Sequence, residues 1–141
     1  MVYVFLADGF EEIEALCPTD IMRRAGIDVL TVSVPDGEYV TGSHNITIKA
    51  DMSFEQLKID ELPEMLMLPG GMPGAMNLSK DKRLASLLCK NAAAGGKIAA
   101  ICAAPFILGE LGLLNGKHAT CYPGYESSLK GAIISGKDIV R

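Results

Sequence analysis

The sequence predicts a single α/β domain with a doubly wound, mostly parallel sheet that has helices on both faces. The first observation is a set of short segments that are apolar at successive positions, as strands buried on both faces are. The second is the alternation of these segments with helical stretches over short connections. The third is the length of 141 residues, which suits one domain with one core.

Four segments carry the strand pattern and three stretches carry the helix pattern. The predicted strands are Met1–Ala7, Ile27–Val34, Glu64–Leu68 and Lys97–Cys102. The predicted helices are Glu11–Ala25, Asp81–Ala94 and Pro105–Leu114. Glycines follow the first two helices, and the first helix opens with acidic residues and closes with arginines, which favours these bounds.

Two segments depart from this alternation. Val40–Ala50 predicts an antiparallel excursion with a turn at Gly42-Ser43. Gly131–Arg141 predicts a β-hairpin around Ser135–Asp138, whose second arm ends with the chain. Because three helices are few for a sheet covered on both faces, we expect the folded unit of the natural protein to extend beyond Arg141.

Composition and charge argue against several classes of protein. A net charge of −4 at pH 7 provides no basic surface for nucleic acid or for an anionic membrane. No apolar run approaches the ~20 residues that cross a bilayer. The N-terminal segment has no basic side chain and includes Asp8, unlike a secretory signal. We therefore expect a cytoplasmic domain whose four cysteines are free thiols.

The most informative segment is Ala99–Pro105, in which Cys102 ends a buried strand and a helix begins two or three residues later. This arrangement is typical of a nucleophile elbow, a sharp turn that projects one side chain above the sheet and requires small neighbours such as Ala100 and Ala104. The N–H groups at the start of the helix favour a thiolate and can bind an oxyanion. The alternative is that Cys102 is a small buried apolar residue.

Two further features bear on the same site. Gly70 and Gly71 follow another central strand, so they either let backbone N–H groups approach a substrate oxygen or form a simple glycine turn. Glu14 lies at the margin of the apolar stripe of its helix, either as a solvated helix-start acid or near the crevice. If Glu14 meets Cys102, the pair titrates jointly, with a protonated Glu14 donating a hydrogen bond to the thiolate.

The remaining candidates are weaker. The cysteines form no C-x-x-C pair, so no structural zinc site is predicted. Gly131–Lys137 has the spacing of a phosphate loop but lacks the hydroxyl residue that magnesium needs. His118 and Cys121 are expected on opposite faces of a strand. His44 is either a turn residue or a residue that reaches a site, including that of a neighbouring subunit.

Four motifs together resemble the ThiJ/PfpI superfamily, in the same order and across essentially the whole chain. They are Ala7–Glu14, Met22–Gly26, Leu68–Gly71 and Ala99–Pro105. The resemblance is strongest to the deglycase and chaperone branch, which includes a parkinsonism-associated protein. It implies a flavodoxin-like fold, a homodimer, and one domain over residues 1–141 that lacks the C-terminal strand and helices of its relatives.

The resemblance also implies roles for individual residues. Cys102 stands at the family's reactive cysteine and Glu14 at the acid that hydrogen-bonds it. The backbone amides of the oxyanion site correspond to Gly70, Gly71 and Ala103. Tyr122 stands where many relatives have a histidine, which removes the most obvious general base.

Three functions remain open. The first is a cofactor-free enzyme of the glyoxalase or deglycase kind, which uses Cys102 against small aldehydes or glycated substrates and needs no metal. The second is an oxidation-sensing or chaperone-like stress protein without turnover, because the same thiol is readily oxidised. The third is a cysteine peptidase or amidase. It ranks last, because Tyr122 is a poor base near neutral pH and only His44 from a partner chain would replace it.

Overall fold

The computed structural model describes residues 1–58 and 62–141. Its centre is an all-parallel sheet of five strands, which are β1 Val2–Leu6, β2 Val29–Ser33, β5 Met52–Ser53, β6 Met65–Leu68 and β7 Lys97–Ala100. Their order in the sheet is β5-β2-β1-β6-β7. The doubly wound, flavodoxin-like α/β fold that the sequence predicts is confirmed.

Helices cover both faces of the sheet. Within the described ranges, the α-helices are α1 Glu12–Arg24, α2 Gly74–Lys80, α3 Lys82–Ala93 and α4 Pro105–Glu110. On one face, Val4 and Leu6 of β1 belong to a core that includes Ala15 of α1. On the other face, Phe5 belongs to a larger core with side chains from α2, α3 and α4. Since side chains alternate between faces and both faces are buried, the strands are apolar throughout.

The antiparallel excursion is confirmed. β3 Tyr39–Thr41 pairs antiparallel with β4 Thr47–Lys49, and the turn spans residues 42–46. Gly42 lies at the start of this turn, and a Cβ there would collide with the carboxylate of Glu12. The excursion therefore packs against the start of α1.

The β-hairpin predicted over Gly131–Arg141 is wrong. β9 Ile133–Ile134 instead pairs in parallel with β8 His118–Ala119. The N–H of Ile133 donates to the carbonyl of Lys117 at 2.8 Å, and the N–H of Ser135 donates to that of Ala119 at 2.8 Å. Residues 136–141 form no strand and Ile139 is 83% exposed, so the second arm of the predicted hairpin is absent.

The strand order positions the candidate site. β1, β6 and β7 are neighbours, so the loops that follow Leu6, Leu68 and Ala100 meet at the carboxyl edge of the sheet. From β1 the chain goes to β2 on one side and returns to β6 on the other, which makes the gap between β1 and β6 the switch point where open α/β sheets bind ligands. Among the described residues, no helix has the length and apolar character that a bilayer crossing requires.

Candidate active site

Cys102 occupies a strained turn between β7 and α4. Its φ is 59°, a left-handed conformation that is uncommon for a residue with a side chain. The turn closes with a 3.0 Å hydrogen bond from the N–H of Ala104 to the carbonyl of Ile101. Ala103 and Ala104 are buried, so larger side chains have no room there. The elbow geometry predicted from the sequence is present, and backbone strain of this kind is typical of functional sites.

Glu14 and Cys102 lie on either side of Gly70. The N–H of Gly70 donates to Oε2 of Glu14 at 2.8 Å. A Cβ placed on Gly70 would lie 2.7 Å from Oε2 of Glu14 and 2.7 Å from Cβ of Cys102. Both side chains therefore border the same space, which a glycine leaves open. Of the two alternatives for Glu14, the structure shows the one near the crevice.

The position of Glu14 follows from the way α1 starts. The N–H of Glu11, which precedes the helix, donates to the carbonyl of Gly70 at 3.0 Å. Gly71 has φ of 86° and fits closely against the same segment, where a Cβ would collide with the backbone nitrogen of Glu11. The glycine pair thus lets the loop after β6 pack on the first turn of α1, so that Glu14 faces the elbow.

Two opposing influences act on the Cys102 thiol. Burial raises its pKa, and the nearby negative charge of Glu14 raises it further. Hydrogen bonds from the backbone N–H groups of Ala103 and Gly71 lower it, but they do not offset the first two. The backbone N–H groups thus favour a thiolate, as expected from the sequence, but burial and the Glu14 charge keep the pKa of Cys102 above that of an ordinary thiol.

A cavity of about 260 Å³ opens beside the thiol. Its lining includes Cys102 and Glu14, together with Ala100, Ile101, Thr120, Cys121, Tyr122 and Asp138. The N–H of Tyr122 donates to the carbonyl of Cys102 at 2.8 Å, and the Tyr122 side chain is 57% exposed. The segment after β8 therefore forms one wall of the cavity, next to the elbow.

Cys121 is a chemically reactive residue of this cavity that the sequence analysis did not place at the site. His118 and Cys121 were expected on one strand, but β8 ends at Ala119 and Cys121 lies beyond it. Strand alternation therefore does not apply to Cys121, and its side chain borders the cavity rather than an opposite face. The signal in the sequence was a second cysteine shortly before Pro123, a residue that rarely continues a strand.

His44 lies outside the cavity that contains Cys102. Its Nδ1 is 2.8 Å from Oε2 of Glu12 and 3.6 Å from Oε1 of Glu11, and its backbone N–H donates to Oε1 of Glu12 at 2.8 Å. It does not line the cavity beside Cys102 within this chain. The geometry shows a residue that holds the turn of the excursion against α1.

Glu12 anchors this contact. Burial alone would raise its pKa, but hydrogen bonds from His44, its own backbone and Ser43 outweigh burial and lower the pKa to about 2. The same bond, aided by the charges of Glu11 and Glu12, raises the pKa of His44. Within residues 1–58 and 62–141, Glu11, Glu12 and His44 are the one group whose ligand atoms approach closely enough to hold a metal, all within 4.8 Å. These atoms already partner one another.

Comparisons with known proteins agree with this architecture. The model of the DJ-1/PfpI family matches residues 1–141. The chain is 38% identical over 126 residues to Protein dj-1beta of Drosophila melanogaster, which covers 89% of this chain and 67% of that protein. It is 33% identical over 138 residues to a deglycase of Pyrococcus abyssi, which covers 97% of this chain and 81% of that protein.

Solved structures are similar as well. The crystal structure of a mutant DJ-1 superfamily protein from Salmonella typhimurium superposes with a TM-score of 0.94 at 32% identity, covering 99% of this chain and 76% of that chain. Drosophila melanogaster DJ-1beta superposes with a TM-score of 0.88 at 34% identity, covering 95% of this chain and 73% of that chain. The elbow, the parallel sheet and these matches lead to one conclusion: the chain belongs to the DJ-1/PfpI family.

Proposed function

We propose that the protein is a cofactor-free, cysteine-dependent enzyme that acts on small reactive carbonyl compounds, of the glyoxalase or deglycase kind. The observation that carries the proposal is the contact of the Cys102 and Glu14 side chains with the same small space at Gly70. A nucleophile and a proton carrier in one cavity of about 260 Å³ suit a small aldehyde. The relative named as a deglycase supports the same class of reaction.

The first step is addition of the sulfur to the aldehyde. When the shared proton lies on Glu14, Cys102 is a thiolate and attacks the carbonyl carbon. The C–S bond forms, and the carbonyl π electrons move to oxygen. The backbone N–H groups of Ala103 and Gly71, which lower the pKa of the thiol, are the donors that would bind this oxyanion. Glu14 then donates its proton and a hemithioacetal results.

The second step moves a proton within the adduct. With a 2-oxoaldehyde such as methylglyoxal, the ionised Glu14 removes the proton from the former aldehyde carbon and returns it to the neighbouring carbon. This leaves a thioester on Cys102. Water hydrolyses the thioester, releases a 2-hydroxy acid and restores the thiol. The overall reaction consumes one water, and no redox partner or metal takes part.

The decisive experiment is methylglyoxal consumption without added glutathione. We expect wild-type protein to consume methylglyoxal, Cys102→Ser to abolish the activity, and Glu14→Gln to reduce kcat by about 100-fold, as loss of general acid–base catalysis does. Cys89→Ser is the matched control, because Cys89 is an exposed cysteine on α3. Wild-type activity no higher than the Cys102→Ser background contradicts the proposal and leaves the oxidation-sensing or chaperone-like alternative.

The peptidase alternative finds little support. Such an enzyme needs a base beside Cys102, and the residues that line the cavity include Tyr122 but no histidine. His44 already partners Glu12 and Glu11. Peptide hydrolysis that disappears in His44→Ala would revive this alternative.

We propose further that the enzyme is a homodimer that works in the cytoplasm. Three residues spaced four apart on α1 lie exposed on one side of the helix: Ile13, which is 73% exposed, Cys17, and Ile21, which is 59% exposed. An apolar stripe of this kind favours burial against a second copy. The free cysteines agree with a reducing compartment. Light scattering on the wild type and on the double variant Ile13→Glu/Ile21→Glu tests the dimer. We expect a dimeric wild type and a monomeric double variant; a monomeric wild type would contradict the proposed homodimer.

A further inference from the structure

We propose that Cys121 is the resolving partner of Cys102: after a hydroperoxide has oxidised Cys102 to a sulfenic acid, Cys121 closes a disulfide with it inside the cavity. The pairing depends on the reactivity of Cys102 and not on the carbonyl chemistry proposed above. It makes the oxidation of this site reversible.

The two cysteines are close through both backbone and side chain. The 2.8 Å hydrogen bond from the N–H of Tyr122 to the carbonyl of Cys102 ties the peptide that follows Cys121 to the elbow. Covalent geometry on the two sides of this bond limits the Cα–Cα separation of the cysteines to less than about 7.6 Å. This limit would require all the joined atoms to lie on one line; the ordinary angles at the carbonyl oxygen and the amide nitrogen bring the separation toward the range of about 4.4–6.8 Å that disulfides span.

The side chains share one space. Cys102 and Cys121 both line the cavity of about 260 Å³, both are partly buried, and both are free. Burial raises the pKa of Cys121, the charge of Glu126 raises it further, and the charge of the Cys102 sulfur adds to this effect. The two sulfurs therefore interact electrostatically. Cys121 also lies outside helices and strands, so closing the bond breaks no strand or helix hydrogen bond.

The other two cysteines do not compete for this role. Cys17 lies exposed on α1 and Cys89 lies exposed on α3. Neither lines the cavity beside Cys102. The structure thus pairs Cys102 with one partner within the chain.

The chemistry balances with hydrogen peroxide as the oxidant. The Cys102 thiolate attacks one peroxide oxygen, the O–O bond breaks, and the other oxygen leaves as hydroxide and takes up a proton to become water. The Cys121 thiolate then attacks the Cys102 sulfur, the S–S bond forms and the S–O bond breaks, and the departing hydroxide also becomes water. Two thiols and one peroxide give one disulfide and two waters. An external dithiol reduces the disulfide and restores both thiols.

The disulfide protects the site from irreversible damage. A sulfenic acid without a thiol partner reacts with more peroxide and becomes a sulfinic acid, which dithiols do not reduce. Closure by Cys121 competes with this second oxidation. While the disulfide exists, Cys102 is not a thiolate and cannot attack a carbonyl. The enzyme is then inactive, and reduction of the disulfide restores its activity.

The test compares the oxidation products of wild-type protein and Cys121→Ser. Each reduced protein receives an excess of hydrogen peroxide, because a sulfinic acid needs one more peroxide than the disulfide does, and remaining thiols are blocked with N-ethylmaleimide before intact-mass analysis and peptide mapping. The wild type should take up a maleimide group on each of Cys17 and Cys89, lose about 2 Da at the joined cysteines, and yield a peptide joining Cys102 to Cys121, which dithiothreitol separates. Cys121→Ser should gain about 32 Da at Cys102 and accumulate roughly ten-fold more sulfinic acid. Cys89→Ser should behave like the wild type.

Three results overturn the pairing. They are equal sulfinic acid in wild type and Cys121→Ser without a joined peptide, a disulfide from Cys102 to Cys17 or Cys89, and no reaction of Cys102 with peroxide. If Cys121→Ser does not fold, the peptide map of the wild type decides alone. Methylglyoxal consumption by the same reduced batch separates this proposal from the enzymatic one: activity without a disulfide overturns the pairing only, and a disulfide without activity overturns the carbonyl chemistry only.

Discussion

Replacing Gly70 by alanine tests the packing of the candidate site. The added Cβ would lie 2.7 Å from Oε2 of Glu14, 2.7 Å from Cβ of Cys102 and 3.1 Å from the carbonyl oxygen of Ile101. Ordinary Cβ contacts begin at 3.4 Å, so the two side chains must each retreat by about 0.7 Å. The backbone of Gly70 does not have the left-handed φ that would strain an alanine by itself. Any effect therefore comes from these contacts.

Gly70→Ala should lower the stability of the protein through crowding and through the weakening of one hydrogen bond. Overpacking of this size costs about 1–3 kcal/mol, and displacing the Glu14 carboxylate weakens its bond from the N–H of Gly70. We expect the free energy of unfolding to fall by about 1–3 kcal/mol. Because a misplacement near 1 Å can cost about 100-fold in rate, methylglyoxal turnover should fall by one to two orders of magnitude.

The assays are urea unfolding and methylglyoxal turnover, and Gly136→Ala is the matched control. A Cβ on Gly136 meets no atom within 4 Å, so this substitution should change the free energy of unfolding by less than about 0.5 kcal/mol. If Gly70→Ala is as stable and as active as Gly136→Ala, then Glu14 and Cys102 do not lie in close contact with Gly70, which would refute the packing described for the site.

Two further predictions concern stability. Because the pKa of Glu12 is lowered to about 2, its contribution is present above the ordinary carboxyl value near 4.5 and disappears as the pH falls through that value toward 2. Glu12→Gln should therefore lower the free energy of unfolding by about 1–3 kcal/mol at pH 7 and by much less at pH 2.5, measured in urea; an equal loss at both pH values contradicts the role of the carboxylate charge. Asp81 caps α3 by accepting hydrogen bonds from the N–H groups of Arg83 and Leu84 at 2.8 and 3.1 Å. Asp81→Ala should cost about 0.5–2 kcal/mol in thermal or urea unfolding, and Asp81→Asn should recover part of the loss; identical stability of all three proteins would exclude the cap.

The parallel strands could be predicted because their signal is local. Segments such as Val2–Leu6 and Met65–Leu68 are apolar on both sides, and their burial in the sheet explains that pattern. α2 Gly74–Lys80 escaped prediction because it is only seven residues long and follows a proline and a glycine that favour a turn. The pairing of β9 with β8 was not predicted, because the N–H groups of Ile133 and Ser135 bond to residues distant in the sequence. Tertiary contacts, and not the local pattern, determine this pairing.

In the candidate site too, the local features could be predicted from the sequence and the features that depend on tertiary structure could not. The elbow at Cys102 is a local property of a strand, two small residues and a helix, and the sequence predicts it. The contact between Glu14 and the elbow depends on the strand order, which places the loops after β1, β6 and β7 side by side. A pattern along one chain does not contain that order. The position of Cys121 depends on β8 ending at Ala119, and two-residue strands leave almost no periodic signal.

The most direct test of the coupling between Glu14 and Cys102 is the pH dependence of Cys102 alkylation by iodoacetamide in the wild type and in Glu14→Gln. We expect Cys102 of the wild type to react only above the pH at which an ordinary thiol ionises, because burial and the negative charge of Glu14 both oppose its ionisation. Glu14→Gln should react at a lower pH than the wild type, since the neighbouring charge is gone. Superimposable profiles for the two proteins would contradict the contact between Glu14 and Cys102 on which the proposed mechanism depends.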